Sequence, residues 1–293
     1  MTSRVAVVTD STADLALDLA TERRISVVPL TVTLDGRSYL DGVEITAAEF
    51  YERLKAAGSV ATTSQPAPAR FADVYRTLLA NHAEILSVHI SSRLSGTYAA
   101  ACQGAELVGG GRVRVVDSGQ ASMPLALMVL ATAVLAEEGE SAETIASRLR
   151  PIQEAMRVYF MVGTLEYLRR GGRIGRAGAF LGSVLQVKPV LTIRDGEVAP
   201  LERVRTQERA LARVIELARE RGDRLCALVG HAATEVAAHR IAEALDPVAE
   251  TLIVAPLGPV VGAHTGPGTV GVGCYPAELL PLGLRRLSSL AAT

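Results

Sequence analysis

Apolar strands that alternate with helical patterns along the chain constrain the fold more than any other feature of this sequence. Val5–Val8 is fully apolar and precedes a polar turn and a helical pattern, and the mostly apolar run Ile85–Ile90 repeats this order. Fully apolar strands are typical of a covered parallel sheet, and their alternation with helices is typical of α/β folds. The pattern restarts near residue 156. We therefore predict two α/β domains, 1–156 and 157–293, each a sheet flanked by helices.

Short patterns predict individual elements within these domains. Ile25–Val32 is expected to form one strand, and Asp35 with Gly36 favours a two-residue hairpin turn. Gly178–Leu185 is expected to be helical. Two pairs of residues have the spacing of a helix capping box: Ser11 with Asp14, and Thr46 with Glu49.

The composition excludes several classes of function. The formal net charge is −1, no block of like charge occurs, and the chain has no Trp and only 4 Phe. Nucleic-acid binding needs basic surfaces or aromatic stacking platforms, so we expect none. The 3 cysteines are isolated, so we expect neither a metal site nor a disulfide framework. With no signal-peptide pattern, the chain is expected to be cytoplasmic.

The longest apolar run of the sequence is Met123–Ala136. This run is shorter than the ~20 residues that a membrane-spanning helix needs, and it contains a proline. We therefore predict a helix that is buried on most sides, and no stable membrane insertion.

Polar residues concentrate in five loops, most of which follow predicted strands or a glycine-rich break. These loops cover residues 9–12, 62–66, 91–97, 171–176 and 262–268. The loops at the carboxyl ends of the strands of an open α/β sheet are where ligands bind. We therefore expect these loops to converge on one site.

Each candidate side chain in these loops has two interpretations. Ser92 or Ser95 either contacts a ligand or caps the helix that follows. Arg173, which follows two glycines, either clamps an anion or is a solvated arginine. His264 lies in a glycine-rich loop that permits close backbone approach, and it either contacts a ligand or bonds to the backbone.

Several enzyme templates are absent from the sequence. There is no P-loop, no dinucleotide fingerprint after the first strand, no HExxH pair and no GxSxG elbow. A triad of Ser95, His264 and either Asp10 or Asp117 gives the alternative of an acyl hydrolase or acyltransferase. A third hypothesis is a phosphate-ligand binder that uses loops 9–12 and 262–268.

Seven motifs, taken together and in order, resemble one known family. They are Val7-Val8-Thr9-Asp10-Ser11-Thr12, Thr62-Thr63-Ser64-Gln65-Pro66, Ser91-Ser92-Arg93-Leu94-Ser95-Gly96-Thr97-Tyr98, Asp117-Ser118, Gly172-Arg173-Ile174, Lys188-Pro189-Val190-Leu191 and Gly258-Pro259-Val260-Val261-Gly262-Ala263-His264. This set resembles the DegV family of bacterial fatty-acid-binding proteins and covers nearly the whole chain.

The resemblance implies a function. It implies two α/β domains that hold a long-chain fatty acid such as palmitate between them, with the carboxylate bound by Thr63 and Ser95. His264 and Arg173 are further family positions for the carboxylate. Five more residues of the same loops are additional candidates: Thr62, Ser92, Gly96, Asp10 and Ser11.

The resemblance also implies a partner. Some relatives present the bound acid to a separate fatty acid kinase, which makes acyl-phosphate from ATP. The chain itself is then expected to be a carrier in lipid metabolism rather than an enzyme, with no catalytic residue, metal or cofactor besides its fatty acid ligand.

Overall fold

The computed structural model describes residues 4–57, 61–180 and 188–283, and all elements named below lie in these ranges. Strands β1 to β13 are Val5–Asp10, Ile25–Val28, Thr31–Leu34, Arg37–Leu40, Thr62–Ser64, Glu84–His89, Val113–Asp117, Arg157–Met161, Lys188–Arg194, Glu197–Val204, Leu225–His231, Ala249–Pro256 and Val270–Pro276. Helices α1 to α10 are Leu17–Glu22, Ala47–Ala57, Pro68–Leu79, Thr97–Glu106, Met123–Glu137, Ala142–Ala155, Glu166–Arg170, Gln207–Arg219, Glu235–Leu245 and Pro259–Thr265.

The strands form three sheets. A parallel sheet has the order β2-β1-β6-β7, and a small antiparallel sheet has the order β4-β3-β5. The strands from β8 onward form a six-stranded sheet in the order β10-β9-β8-β13-β11-β12, in which only β11 and β12 are parallel neighbours. Helices flank the sheets, so the predicted α/β class is confirmed. The change from the first two sheets to the third falls between β7 and β8.

Helix α5 lies between the two large sheets. It contacts β1 and β6 on one side and β11 and β13 on the other, and nearly all of its side chains are buried. A helix that is apolar on every side is stable only where each side is covered. This explains why the apolar run Met123–Ala136 predicted a buried helix. In the described ranges, no helix combines the length and the apolar character needed to cross a membrane.

The local predictions have mixed outcomes. Asp35 and Gly36 form the turn between β3 and β4, both with positive φ. Thr46 and Glu49 form the predicted capping box, because the Glu49 carboxylate accepts from the Thr46 N–H (2.9 Å) and the Thr46 hydroxyl accepts from the Glu49 N–H (3.3 Å). The second expected box is wrong, since it is Asp10 that caps the turn Ser11–Ala13.

The expected strand Ile25–Val32 is two strands. Ile25–Val28 pairs with β1 of the parallel sheet, whereas Thr31–Leu34 pairs with β4 and β5 of the antiparallel sheet. Pro29 lies at the break between the two strands. A proline cannot donate a hydrogen bond to a sheet, so the expectation of one continuous strand overlooked this signal. Gly175–Phe180 is a short 3₁₀ helix, and the remainder of the expected helix Gly178–Leu185 lies outside the described residues.

Candidate functional site

An apolar cavity lies at the junction of the two large sheets and helix α10. Its volume is about 770 Å³ when the open mouth is included, which is within the range of small-molecule sites. The wall is mainly aliphatic, with contributions from β8, β9, β10, α7 and α10: Val158, Phe160, Leu168, Ile193, Val198 and Val260. A cavity of this composition suits the hydrocarbon part of a ligand.

Four of the polar residues singled out in the sequence line this cavity together. They come from distant parts of the chain: Thr63, Ser95, Arg173 and His264. The Thr63 Oγ1 lies 2.8 Å from the His264 Nε2, which joins β5 to helix α10 across 201 residues of sequence. The structure therefore brings these four side chains to one mainly apolar cavity, and the part that they line is called its polar end below.

Two expectations about local structure at this end are wrong. His264 lies in the last turn of helix α10 rather than in a loop. Thr63 lies in the short strand β5, which pairs with β3, rather than in the loop expected over residues 62–66. Pairing with a distant strand decides the conformation of Thr63, whereas Pro259 at the start of α10 and Gly266 at its end are local helix signals that were overlooked.

The sequence around Ser95 explains how its loop meets Thr63. The Ser95 Oγ lies 2.9 Å from the Thr97 Oγ1 and accepts from the Thr97 N–H. A Cβ added to Gly96 would lie 1.9 Å from the Gln65 Oε1. The exposed Gln65 side chain, from the segment after β5, therefore packs closely against Gly96 in the loop that carries Ser95.

Arg173 links two backbone segments at the same end. Its Nε donates to the Leu94 carbonyl (3.0 Å) and its Nη1 donates to the Gly171 carbonyl (2.7 Å). These bonds fix the guanidinium beside the cavity, and neither of them uses the Nη2 group. Arg173 thus contributes a fixed positive charge to the polar end, since a guanidinium stays protonated.

His264 is neutral at physiological pH. Burial, reinforced by the nearby charge of Arg173, lowers the pKa of His264 to about 4. Its Nδ1 is buried without a hydrogen-bond partner, and a Cβ added to Gly171 would lie 2.1 Å from this atom. The backbone of Gly171 therefore covers one edge of the ring, while the Nε2 edge faces Thr63.

A second, more polar cavity lies beside the first. Its volume is about 630 Å³ with its open part included, and Thr63, Arg173 and His264 line both cavities. Thr62, Tyr167 and Arg170 line only the second one. The polar end of the apolar cavity is therefore also the wall of an opening toward the surface.

The remaining expected residues lie elsewhere. Ser92 is exposed, and its N–H donates to the Asp117 carboxylate. The Ser11 Oγ accepts from the Leu30 N–H (3.1 Å). Asp10 is fully buried and bonds to the protein itself. Neither Asp10, Ser11, Ser92 nor Gly96 lines either cavity.

Sequence reasoning missed further hydroxyls on the cavity wall. These residues are Thr12, Ser122, Thr265 and Thr269. Ser122 has a positive φ of 58° immediately before helix α5, which is uncommon for a residue with a side chain. No sequence pattern identified it, because the strain arises where the chain enters the core. Thr12 was visible in the first motif but was not selected there.

The geometry does not assemble the triad considered above. The Ser95 hydroxyl pairs with Thr97 and the His264 Nε2 pairs with Thr63, so nucleophile and base are not joined. A triad also needs an acid that orients the histidine, but the His264 Nδ1 has no partner. Asp10 and Asp117 accept hydrogen bonds from other groups.

Two buried carboxyl groups lie at the start of helix α10. Asp14 accepts from the Gly258 N–H (2.9 Å) and from the Ser122 hydroxyl. Burial is the main cause that raises the pKa of Asp14 well above its usual range and the pKa of Asp41 to about 7. The Asp41 Oδ2 is buried without a partner. The helix that carries His264 is therefore anchored on carboxyl groups that hold protons unusually tightly.

Fold and site together define a class of protein: an α/β protein with an apolar cavity that ends in hydroxyl, imidazole and guanidinium groups. The sequence profile of the family described as "Uncharacterised protein, DegV family" matches residues 4–277. The chain belongs to the DegV family, so the resemblance seen in its motifs is confirmed.

Relatives and solved structures agree with this membership. A DegV domain-containing protein of Streptomyces coelicolor is 41% identical over 278 residues, which is 93% of this chain and 98% of that protein. A structure described as fatty acid binding of a DegV family protein from Thermus thermophilus has a TM-score of 0.88 and 40% identity, and the match covers 93% of this chain and 99% of that one. DegV of Bacillus subtilis, described as a fatty acid binding protein, has a TM-score of 0.85 and 33% identity over 94% of this chain and all of its own.

Proposed function

We propose that this protein binds a long-chain fatty acid such as palmitate, with its tail in the apolar cavity and its carboxylate at Thr63, Ser95, Arg173 and His264. One observation carries the proposal: these four side chains line the same mainly apolar cavity. The similar proteins of Thermus thermophilus and Bacillus subtilis, both described as fatty acid binding, support the ligand class.

The energetics require both parts of the cavity. Burial of an acyl tail contributes about 0.8 kcal/mol per methylene, so a tail of about fourteen methylenes contributes roughly 11 kcal/mol. Association costs about 4–15 kcal/mol. The tail alone therefore neither ensures tight binding nor orients the ligand, and the carboxylate needs donors that replace its lost water.

The neutral His264 determines which donors are available. If the Nε2 carries the proton, it donates to the Thr63 oxygen and leaves the Thr63 hydroxyl proton for a carboxylate. If the Nδ1 carries the proton, the Nε2 accepts from Thr63 and the carboxylate loses that donor. We infer that bound fatty acid selects the Nε2–H tautomer, with Arg173 balancing the charge of the carboxylate.

A paired set of variants tests the site. Thr63→Val with Ser95→Ala should raise the palmitate Kd at least about tenfold, because two hydrogen bonds to a charged group are lost. The matched control is Thr33→Val with Ser38→Ala, an exposed hydroxyl pair in β3 and β4 whose oxygens lie 2.9 Å apart. Calorimetry on delipidated protein measures both; equal Kd values for the two double variants would refute the carboxylate site.

The ligand itself is tested by native mass spectrometry of the purified protein. A mass increment equal to a long-chain fatty acid is expected, and lipid extraction should identify the acid. Delipidated protein that shows no affinity for acids with about 14 to 18 carbons would overturn the assignment as a fatty acid carrier.

We also propose that the protein presents the carboxylate to a separate kinase rather than acting on it. The second cavity supports this, since it reaches Thr63, Arg173 and His264 from outside the tail cavity. Arg169 and Arg170 beside it are about half exposed, and both pair with Glu166. This rim therefore keeps a net positive charge toward an acidic partner.

Acyl-phosphate formation by a bacterial fatty acid kinase with ATP tests the handover. Arg170→Glu should slow the reaction while the palmitate Kd stays unchanged. Arg240→Glu, at an exposed ion pair with Glu208 in α8, is the matched control. Equal rates for the two variants would contradict a role for this rim, and turnover of nitrophenyl esters that depends on Ser95 would favour the hydrolase alternative instead.

A further inference from the structure

A chain of four hydrogen-bonded side chains runs through the core of the parallel sheet. The His89 Nδ1 lies 2.8 Å from the Asp10 Oδ2, the His89 Nε2 lies 2.7 Å from the Ser87 Oγ, and the Tyr75 hydroxyl lies 2.9 Å from the same Ser87 Oγ. All four residues are fully buried. Phe71 packs edge-on against the His89 ring, with ring centroids 5.1 Å apart.

These four hydrogen-bonded side chains have one self-consistent arrangement of protons. An ionised Asp10 only accepts, so the His89 Nδ1 carries a proton and donates to it. The His89 Nε2 is then an acceptor, which takes the Ser87 proton, and the Ser87 oxygen accepts from Tyr75. Every polar atom of the chain is used within the protein.

Asp10, His89 and Ser87 are bonded in the same order as a catalytic triad, but this arrangement is not catalytic. None of Asp10, Ser87 and His89 lines either cavity at the candidate site. A nucleophile must reach its substrate, and the Ser87 oxygen reaches only His89 and Tyr75. The other hydrogen bonds of the Asp10 carboxylate therefore indicate the role of these four side chains.

Asp10 holds two residues of the tail cavity. Its Oδ1 accepts from the N–H and the hydroxyl of Thr12, and its Oδ2 accepts from the Ile90 N–H (3.1 Å) in addition to His89. Thr12 and Ile90 both line the apolar cavity. One carboxylate thus ties the end of β1 to the end of β6 at the cavity wall.

The loop that carries Ser95 begins at this tie. Ile90 is followed by Ser91, whose N–H donates to the Gln120 carbonyl (2.7 Å) and whose carbonyl accepts from the Leu94 and Ser95 N–H groups. The Ser91 carbonyl therefore connects the Ser95 N–H to the residue after Ile90, and the Ile90 N–H donates to Asp10. We expect this turn to pass a shift of Ile90 on to the Ser95 hydroxyl.

We infer that Asp10 and His89 are positioning residues for the head-group end of the site. His89 orients the Asp10 carboxylate, and Asp10 fixes the Ile90 end of the loop that presents Ser95. The inference rests on the proposed function, because it assigns the pair to the carboxylate site rather than to stability alone.

Two substitutions at one position separate the two bonds of His89. The amide of His89→Asn takes the place of Nδ1 and keeps a donor for Asp10, whereas the amide of His89→Gln takes the place of Nε2 and keeps the bond to Ser87. We expect His89→Gln to raise the palmitate Kd about tenfold, and His89→Asn to raise it about threefold or less.

Hexadecanol, a neutral ligand with the same tail, is the discriminating probe. A positioning role predicts that His89→Gln weakens palmitate at least about threefold more than hexadecanol, because both tails contact Thr12 and Ile90 but only palmitate brings a carboxylate to Ser95. Parallel losses for both ligands would show a merely structural role and overturn the inference. If wild-type protein binds neither ligand, the proposed function fails instead, so the two failures are distinguishable.

A buried control and a spectroscopic measurement keep the test decisive if His89→Gln does not fold. Tyr275→Phe removes a buried hydrogen bond to the Leu280 carbonyl (2.9 Å) away from both cavities and should change neither affinity. In wild-type protein, the side-chain ¹⁵N spectrum of His89 at neutral pH should show the Nδ1–H tautomer. An Nε2–H tautomer would contradict the arrangement on which the inference depends.

Discussion

The two polar regions of the core differ in how many of their polar groups have hydrogen-bond partners within the protein. In the chain of Asp10, His89, Ser87 and Tyr75, each group is matched within the protein. At the cavity end, the direction of the Thr63 hydroxyl depends on the tautomer of His264, and in one tautomer its proton is free for a ligand. Since buried polar groups are normally paired, unused capacity beside a cavity indicates a ligand, whereas a completed network indicates a scaffold.

This comparison predicts that the completed network contributes strongly to stability in addition to positioning the Ser95 loop. Asp10→Ala leaves the N–H groups of Thr12 and Ile90 and the ring of His89 without their acceptor. We expect the free energy of unfolding to fall by about 3–5 kcal/mol, measured by denaturant titration. A loss below about 1 kcal/mol would mean that water or a neighbouring group replaces the carboxylate, and the comparison would break.

Asp41 is a buried carboxyl outside both cavities, and its Oδ2 has no hydrogen-bond partner. The free energy of unfolding should therefore depend on pH. Asp41 has a pKa raised from 3.8 to about 7. Between pH 4 and pH 7 the folded state keeps a proton that the unfolded chain has released, so the free energy of unfolding falls as pH rises and levels off above pH 7. We expect a loss of about 2–3 kcal/mol between pH 5 and pH 8.

Asp41→Asn should make this pH dependence shallower. Asp14, whose pKa is also raised, makes the free energy of unfolding depend on pH in the same direction. Part of the pH dependence should therefore remain in Asp41→Asn. The matched control is Asp73→Asn, an exposed aspartate paired with Arg76, which should retain the full slope. Identical slopes for the two variants would show that Asp41 ionises normally.

The smallest effect on stability is expected at the polar end of the cavity. His264→Ala should raise the palmitate Kd about tenfold through the loss of its bond to Thr63, while the free energy of unfolding changes by less than about 1 kcal/mol. Because the pKa of His264 is about 4, its ionisation should leave the wild-type Kd unchanged between pH 6 and pH 8. A large loss of stability in His264→Ala with an unchanged palmitate Kd would show that His264 supports the fold rather than the ligand.

The parts of the fold that the sequence predicted are those that local chemistry decides. The capping box of Thr46 and Glu49 and the Asp35-Gly36 turn need only neighbouring residues. Helix α5 was recognisable because its apolar character has no exposed side. The break within Ile25–Val32 was missed although Pro29 marks it, but which sheet each half joins depends on distant strands.

The candidate site was predictable for a different reason. Thr63, Ser95, Arg173 and His264 were chosen because they lie in motifs of a recognised family, and the structure places all four on one cavity. Asp10 lies in such a motif as well, but its bonds to His89 and Ile90 span about 80 residues, which no spacing reveals. Motifs therefore identified which residues matter, and only the contacts separated those that line the cavity from those that hold them in place.

The central claim is that the polar end of the apolar cavity binds a carboxylate. A crystal structure of the protein with palmitate tests it most directly. The claim predicts carboxylate oxygens within about 2.6–3.2 Å of the Thr63 and Ser95 hydroxyls, with the tail among Phe160, Ile193 and Val198. Palmitate bound with its carboxylate away from Thr63 and Ser95, or outside this cavity, would contradict it.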